Sequence, residues 1–365
     1  MKFTQTILTA LFALFLQLTG IAAHLEGGNG VATAATLSTG AMTLIDYAKL
    51  LDPNDQVARI IELLSQTNEI LLDMPFMEGN LVTGHRTTVR TGLPDVFWRL
   101  LNQGVAPSKA HTAQIDEQCG MLEAYAQVDR ALADLGGNRA GVRLSNARAF
   151  LEAMNNEMAS TLIYGSASAP EEFIGLAARY SSTTAGNGDN VILAGGTGST
   201  DNTSIYLIAW GEETICGIYP KGSKAGLSHE DLGEKLIQNA GGVTGALMMA
   251  LVDHWEWKCG LALKDWRYGV RIANIDVSNL SSASDAADLL HFMADAEERL
   301  PNELGNRAFY ANRTVIRFLR HQTREQVSAG GGITFENIAG KRVRMFGTSP
   351  VRVTDALLNT EDVVA

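Results

Sequence analysis

Hydrophobic and polar positions alternate in different ways along the chain, and the clearest pattern is helical. Leu144, Ala147, Leu151, Met154, Met158 and Thr161 recur at three- and four-residue steps, with Asn146, Arg148, Glu152, Asn155, Asn156 and Glu157 between them. That spacing predicts one apolar seam on a helix from Leu144 to Tyr164, about 30 Å long. Gly165 stands where a left-handed residue would end it. A second helix is expected after Asp52-Pro53, a capping acceptor followed by proline in the first turn. Val57, Ile60, Ile61, Leu64, Ile70 and Leu71 supply its apolar side, and Pro75 marks its end.

From Gly79 to Ala124 the pattern changes to short alternating pieces. His85-Arg86-Thr87-Thr88-Val89-Arg90 is polar on both faces, and Gly92, Pro94, Gly104 and Pro107 punctuate the residues beyond it. A ribbon with two wet faces buries little within its own chain, so it is ordered by contact with a neighbour. Beyond Pro170, Val191-Ile192-Leu193 and Ser204 to Trp210 read as buried strands joined by a hairpin loop. Ala283 to Leu300, opened by Ser284-Asp285, and Asn306 to Gln322 read as helices. Ile333 to Glu336, Lys341 to Phe346 and Val351 to Val353 read as short strands. The fold class expected is therefore α+β.

Composition supports a folded core, since 46% of residues are hydrophobic, 19% are charged and only 8 are proline. A net charge of -11 argues against specific DNA or RNA binding, because such a surface repels phosphate. Cys119, Cys216 and Cys259 lie far apart with no CxxC pair, which indicates buried thiols rather than zinc ligands or a disulfide framework. The first 41 residues stand apart. Lys2, the apolar run Ile7 to Leu18 and Ala22-Ala23 resemble a secretory leader, whereas Met42 opens a well-patterned domain. Residues 1–41 are thus either a leader or an upstream start misassigned to the gene, and the apolar run is short for a membrane span.

Candidate chemistry is sparse. Gly195-Gly196-Thr197-Gly198-Ser199 follows a strand but lacks the lysine and hydroxyl of a phosphate loop and leads into another strand. Asp253-His254-Trp255-Glu256 is the nearest approach to an acid-base or metal cluster, and reads as a partly buried hydrogen-bonded patch. No serine sits in a G-x-S-x-G setting, and no cysteine-histidine signature is present. Spacing alone does not exclude a carboxylate pair among 40 acidic residues. Arg313, Arg317, Arg320, His321 and Arg324 form a basic strip, read as a solvated helix face or a contact to an acidic neighbour in preference to a phosphate site. No catalytic, cofactor-binding or metal-binding residue is assigned, and the chain is not expected to be an enzyme.

Taken in order, Met42 to Lys49, the stretch from Pro75-Phe76 through Thr87 to Pro94, the helix ending at Tyr164-Gly165, Gly347 to Arg352 and Leu357 to Glu361 resemble a tailed-bacteriophage major capsid protein. The resemblance is to the Hong Kong 97 phage-type fold, within it to the short-tailed phage epsilon fifteen group, and it covers nearly all of residues 42–365. It implies an N-terminal arm at 42–79 and an extended β-hairpin loop at 80–124 lying over an adjacent subunit. It also implies a peripheral domain at 125–169 with the long helix as its spine, an axial domain at 170–326, and C-terminal strands at 327–365 that complete the peripheral domain. The implied function is self-assembly of pentamers and hexamers into an icosahedral shell around double-stranded DNA, with scaffolding, portal and decoration proteins as partners and the bacterial cytoplasm as the place of assembly. No lysine and asparagine pair for subunit cross-linking is identifiable. An encapsulin-like nanocompartment shell is the alternative, and a secreted hydrolase or binding protein, supported by the leader and the stretch Trp255 to Trp266, is the third reading.

Overall fold

A computed structural model describes residues 68–365 except 136–138, 199, 239–246, 282–285, 302–303, 326–333 and 339–340. The expected leader and most of the expected helix after Asp52-Pro53 lie outside the described residues. In chain order the strands are β1 (Phe76–Glu78), β2 (Gly84–Gly92), β3 (His111–Asp129), β4 (Val191–Leu193), β5 (Asn202–Trp210), β6 (Ile215–Tyr219) and β7 (Leu227–Gln238). They continue with β8 (Leu247–Leu263), β9 (Gly269–Asp276), β10 (Asn306–Ala311), β11 (Thr334–Ile338), β12 (Lys341–Phe346) and β13 (Ser349–Val353). The helices are α1 (Ile70–Asp73), α2 (Arg130–Asp134), α3 (Arg139–Tyr164), α4 (Leu176–Arg179), α5 (Leu289–Arg299) and α6 (Arg313–Glu325).

The chain divides into two compact units. Of the described residues, the larger holds those within 68–124, 148–230 and 254–365. At its centre β5 pairs antiparallel with both β9 and β10, while β10 pairs parallel with β13. Every residue of β5 is buried, because both faces of the sheet are covered. Tyr206, Ile208 and Trp210 point to one side, where they join Met158 and Leu162 of α3. Ile205 and Leu207 point to the other, against Met293 of α5 and Val315 and Leu319 of α6. The two-residue period of the strand thus sorts its side chains into two hydrophobic layers.

Of the described residues, the smaller unit holds those within 125–147 and 231–253. Val128, Leu132, Ala133, Val142 and Leu251 form its core. Its surface is laced by arginines: Arg130 and Arg139 meet Glu234 at 3.1 and 2.6 Å, and Arg143 meets Asp231 and Asp253 at 2.7 and 2.6 Å.

Several expectations need correction. The expected hairpin through Gly195 to Ser199 is not formed, since β4 and β5 do not pair: β4 pairs parallel with β9 and β5 pairs antiparallel with the same strand. Asn306 to Gln322 is not one helix. Its first six residues are β10, held between β5 and β13, and Asn312 separates strand from helix by accepting a 2.9 Å bond from the Val315 amide. The expected helix from Ala283 begins at Leu289, capped by Asp288 on the His291 amide, and residues 282–285 lie outside the described set. The long helix starts earlier than expected; Val142 is buried near its start and Met154, Met158, Ala159, Leu162 and Ile163 are buried in its second half, while Leu144 is exposed. Gly165 follows it without a left-handed φ; the glycine is required because a Cβ would stand 2.2 Å from the Phe173 carbonyl oxygen.

Candidate assembly surfaces

The feature that stands out is a long two-stranded ribbon. β2 and β3 run antiparallel, with Gly84 opposite Gln118 and Arg90 opposite Thr112, and a bulge intervenes before Gly92 meets His111. Along β2 the side chains of His85, Thr87 and Val89 are half-buried while those of Arg86, Thr88 and Arg90 are exposed. Residues His111 to Asp116 of β3 are exposed without exception. The ribbon is stiffened on its outer face by Arg86, whose guanidinium donates to both Asp116 oxygens at 2.6 Å.

Its root is fixed firmly. Glu117 is buried and takes a bidentate pair from Arg179 at 2.7 and 2.6 Å, and Arg179 also donates to the Leu261 carbonyl. Gly84 is needed here, since a Cβ would lie 2.0 Å from the Glu117 carbonyl oxygen. A rigid root with an exposed shaft makes a lever that holds its end away from its own body.

That end, residues 93–110, is exposed throughout and carries a cluster of large apolar side chains. Trp98 and Leu101 are essentially fully exposed, at 104% and 95%, and Leu93, Val96, Phe97 and Leu100 are exposed beside them. Arg99 donates to the Gln103 carbonyl at 2.8 Å and the Ser108 hydroxyl to the Asp95 carbonyl at 2.7 Å, so the tip has internal order without a core. Such a cluster of large apolar side chains marks a surface to be covered by another molecule. The sequence pattern noted the polar ribbon and missed this tip, whose only sign is an aperiodic apolar run between Pro94 and Pro107.

The chain's two described ends are tied into the body instead. Glu69 exchanges bonds with Val353, and β1 adds in parallel to β6. At the other end Glu361 is buried against Arg271 at 2.9 Å, with the Tyr164 hydroxyl donating to it at 2.6 Å and Ser204 bonded to it as well. Burial beside that carboxylate raises the Tyr164 phenol above its usual range. Asn274, in a left-handed conformation, clasps the Val364 backbone through two 2.8 Å bonds.

The sequence-predicted chemistry does not converge. Asp253, His254, Trp255 and Glu256 alternate along β8 and so face opposite sides of the strand. Asp253 is bound by Arg143, His254 lies 3.6 Å from Glu123, Trp255 stacks on His229 at 4.0 Å, and Glu256 pairs with Lys258 at 2.7 Å. Within the basic strip Arg313 is paired with Asp355 at 2.8 Å and Arg317 lies over the Phe318 ring, while Arg320 and His321 are exposed. The side chain of Arg324 lies outside the described set. Among the described residues no group of three or more His, Cys, Asp or Glu side chains is placed to hold a metal ion, and no helix is long and apolar enough to cross a membrane.

The family model for major capsid protein GP7 matches residues 52–365. No curated protein matches. A chain in the near-atomic cryo-electron microscopy structure of bacteriophage Epsilon15 aligns with 90% of this chain and 99% of its own length, at 33% identity and a TM-score of 0.74. The bacteriophage JBD30 capsid aligns with 81% of this chain and 93% of its own at 11% identity and a TM-score of 0.43. The SrpI encapsulin of Synechococcus elongatus aligns with 64% and 95% at 13% identity and a TM-score of 0.42.

Proposed function

This chain belongs to the major capsid protein GP7 family, and from that premise we propose how its surfaces serve the shell. The protein is a shell-forming major capsid protein of a tailed bacteriophage, with the Hong Kong 97 phage-type fold. Residues 42–79 act as its N-terminal arm, and the ribbon within 80–124 lies over an adjacent subunit. The helix α3 is the spine of the peripheral domain, which begins at 125 and is completed by the strands of 327–365. Residues 170–326 form the axial domain, which gathers around five- and sixfold axes. The subunit works through contact alone, without a catalytic centre, cofactor or metal. It encloses double-stranded DNA without reading it, a role that a net charge of -11 suits. Scaffolding, portal and decoration proteins join it during assembly in the host cytoplasm.

The observation that supports the ribbon's role is its exposed apolar tip. Covering Trp98 alone removes about 200 Å² from water, worth roughly 5 kcal/mol before the costs of association. A contact of that size is weak singly and strong when repeated around a closed shell. The test is the double variant W98S/L101S. Its subunit should keep the parent's melting temperature, since neither side chain packs on its own body, while the yield of shells seen by negative stain and sedimentation falls by at least about tenfold. Unchanged shell yield would overturn the role given to the ribbon.

A further inference from the structure

A small recess opens beside α3, with a volume of about 220 Å³. Leu122 and the buried Met158 and Phe173 line it, as does Met121, which remains 62% exposed. The carboxylates of Glu157, Glu171 and Glu172 stand around it. Among the described residues none of the three is in an ion pair with a cation within 4 Å. The recess is therefore apolar within, negative at its rim, and of a size for one large side chain.

The ribbon tip has the opposite character. Residues 93–110 carry Arg99 and Lys109 against one acid, Asp95, with Arg90 at the neighbouring end of β2, and their large side chains are apolar. The tip cannot reach the recess of its own chain. Met121 and His111 are joined by a continuous strand at about 3.3 Å per residue, which places the base of the tip roughly 33 Å from the recess. Pairing with β2 keeps most of that length extended.

We infer that the recess beside α3 receives the ribbon tip of a second copy of this chain, Trp98 or Leu101 entering it and Arg99 facing the carboxylate rim. This rests on the reading that the ribbon lies over a neighbouring subunit, and adds where on that subunit it ends. Apolar burial supplies the contact, and the charged rim selects its register and repels other acidic surfaces of the same chain.

The test places p-benzoylphenylalanine at Trp98 in the full chain and, separately, at Leu101, and co-assembles each with ¹⁵N-labelled chain lacking the probe. After irradiation, cross-linked peptides of mixed isotope should carry residues 120–122, 157–161 or 171–173 of the labelled copy. Cross-links to a different region of the labelled copy would overturn this inference while leaving the ribbon's wider role intact. Absence of any cross-link between copies from either position would overturn both. With E157K/E172K as the labelled chain, cross-linking to the recess should fall about tenfold, and R90E/R99E in the probe-bearing chain should restore it. An unchanged yield with the lysine variant overturns the inference.

Discussion

Replacing Glu361 by alanine should damage the subunit far more than its position in an irregular C-terminal segment suggests. The carboxylate and its partner Arg271 are both almost wholly buried, at 4% and 5% side-chain exposure, and lie 2.9 Å apart. Tyr164 and Ser204 donate to the same carboxylate, and Arg271 further donates to the Tyr180 carbonyl at 3.0 Å. Removing the carboxylate leaves a buried guanidinium without its counter-charge and strands two hydroxyls. Breaking a buried pair in this way costs about 3–5 kcal/mol. At roughly 2 °C per kcal/mol for a large domain, the melting temperature should fall by about 6–10 °C. The control is R271M/E361L, which removes both charges and fills the space with apolar atoms; it should recover most of the loss. Thermal unfolding of unassembled subunits, followed by circular dichroism, measures both. A fall of less than about 2 °C for E361A, or a double variant as unstable as the single one, would refute the reasoning.

Two further predictions come from close packing and burial. G165A should lower stability by about 2–3 kcal/mol, since its Cβ would lie 2.2 Å from the Phe173 carbonyl oxygen and 2.6 Å from that of Thr161, whereas G186A, with open space around it, should be neutral in the same unfolding assay. Burial pushes the Cys119 thiol up to about 11 and that of Cys259 to about 12, and raises Cys216 as well. At pH 8 their thiolate fractions are therefore small, so mass spectrometry after iodoacetamide should find all three unmodified in the native subunit and all three alkylated in denaturant; rapid native labelling of Cys259 would contradict this burial.

The features legible in the sequence were local ones. The seam through Met154 and Met158 predicts α3 because a 3.6-residue period needs no knowledge of the rest of the fold. The end of that seam was harder, because burial shifts to Leu162 and Ile163 according to what packs there. Asn306 to Gln322 read as a single helix because Ala308, Phe309 and Ala311 continue the apolar spacing of α6; only Asn312, a capping residue, marks the break. The supposed hairpin after β4 failed for a different reason. Its two strands share the partner β9, more than sixty residues on, and no local pattern announces a non-local strand. The Arg271–Glu361 pair, ninety residues apart, was invisible on the same grounds. Exposure itself was the hardest property to read. The apolar run around Trp98 has the composition of a core, and only the ribbon's geometry shows that it lies outside one.

The central claim is that this chain builds a closed shell from copies of itself, joined by ribbons that reach across subunit boundaries. Cryo-electron microscopy of particles assembled from the full chain tests it most directly. The expected result is rings of five and six subunits in a closed shell, with density for each ribbon continuing from Glu117 onto a neighbouring copy and its tip covered there. A chain that stays monomeric at high concentration, or shells in which the tips of residues 93–110 stand uncovered in solvent, would contradict it.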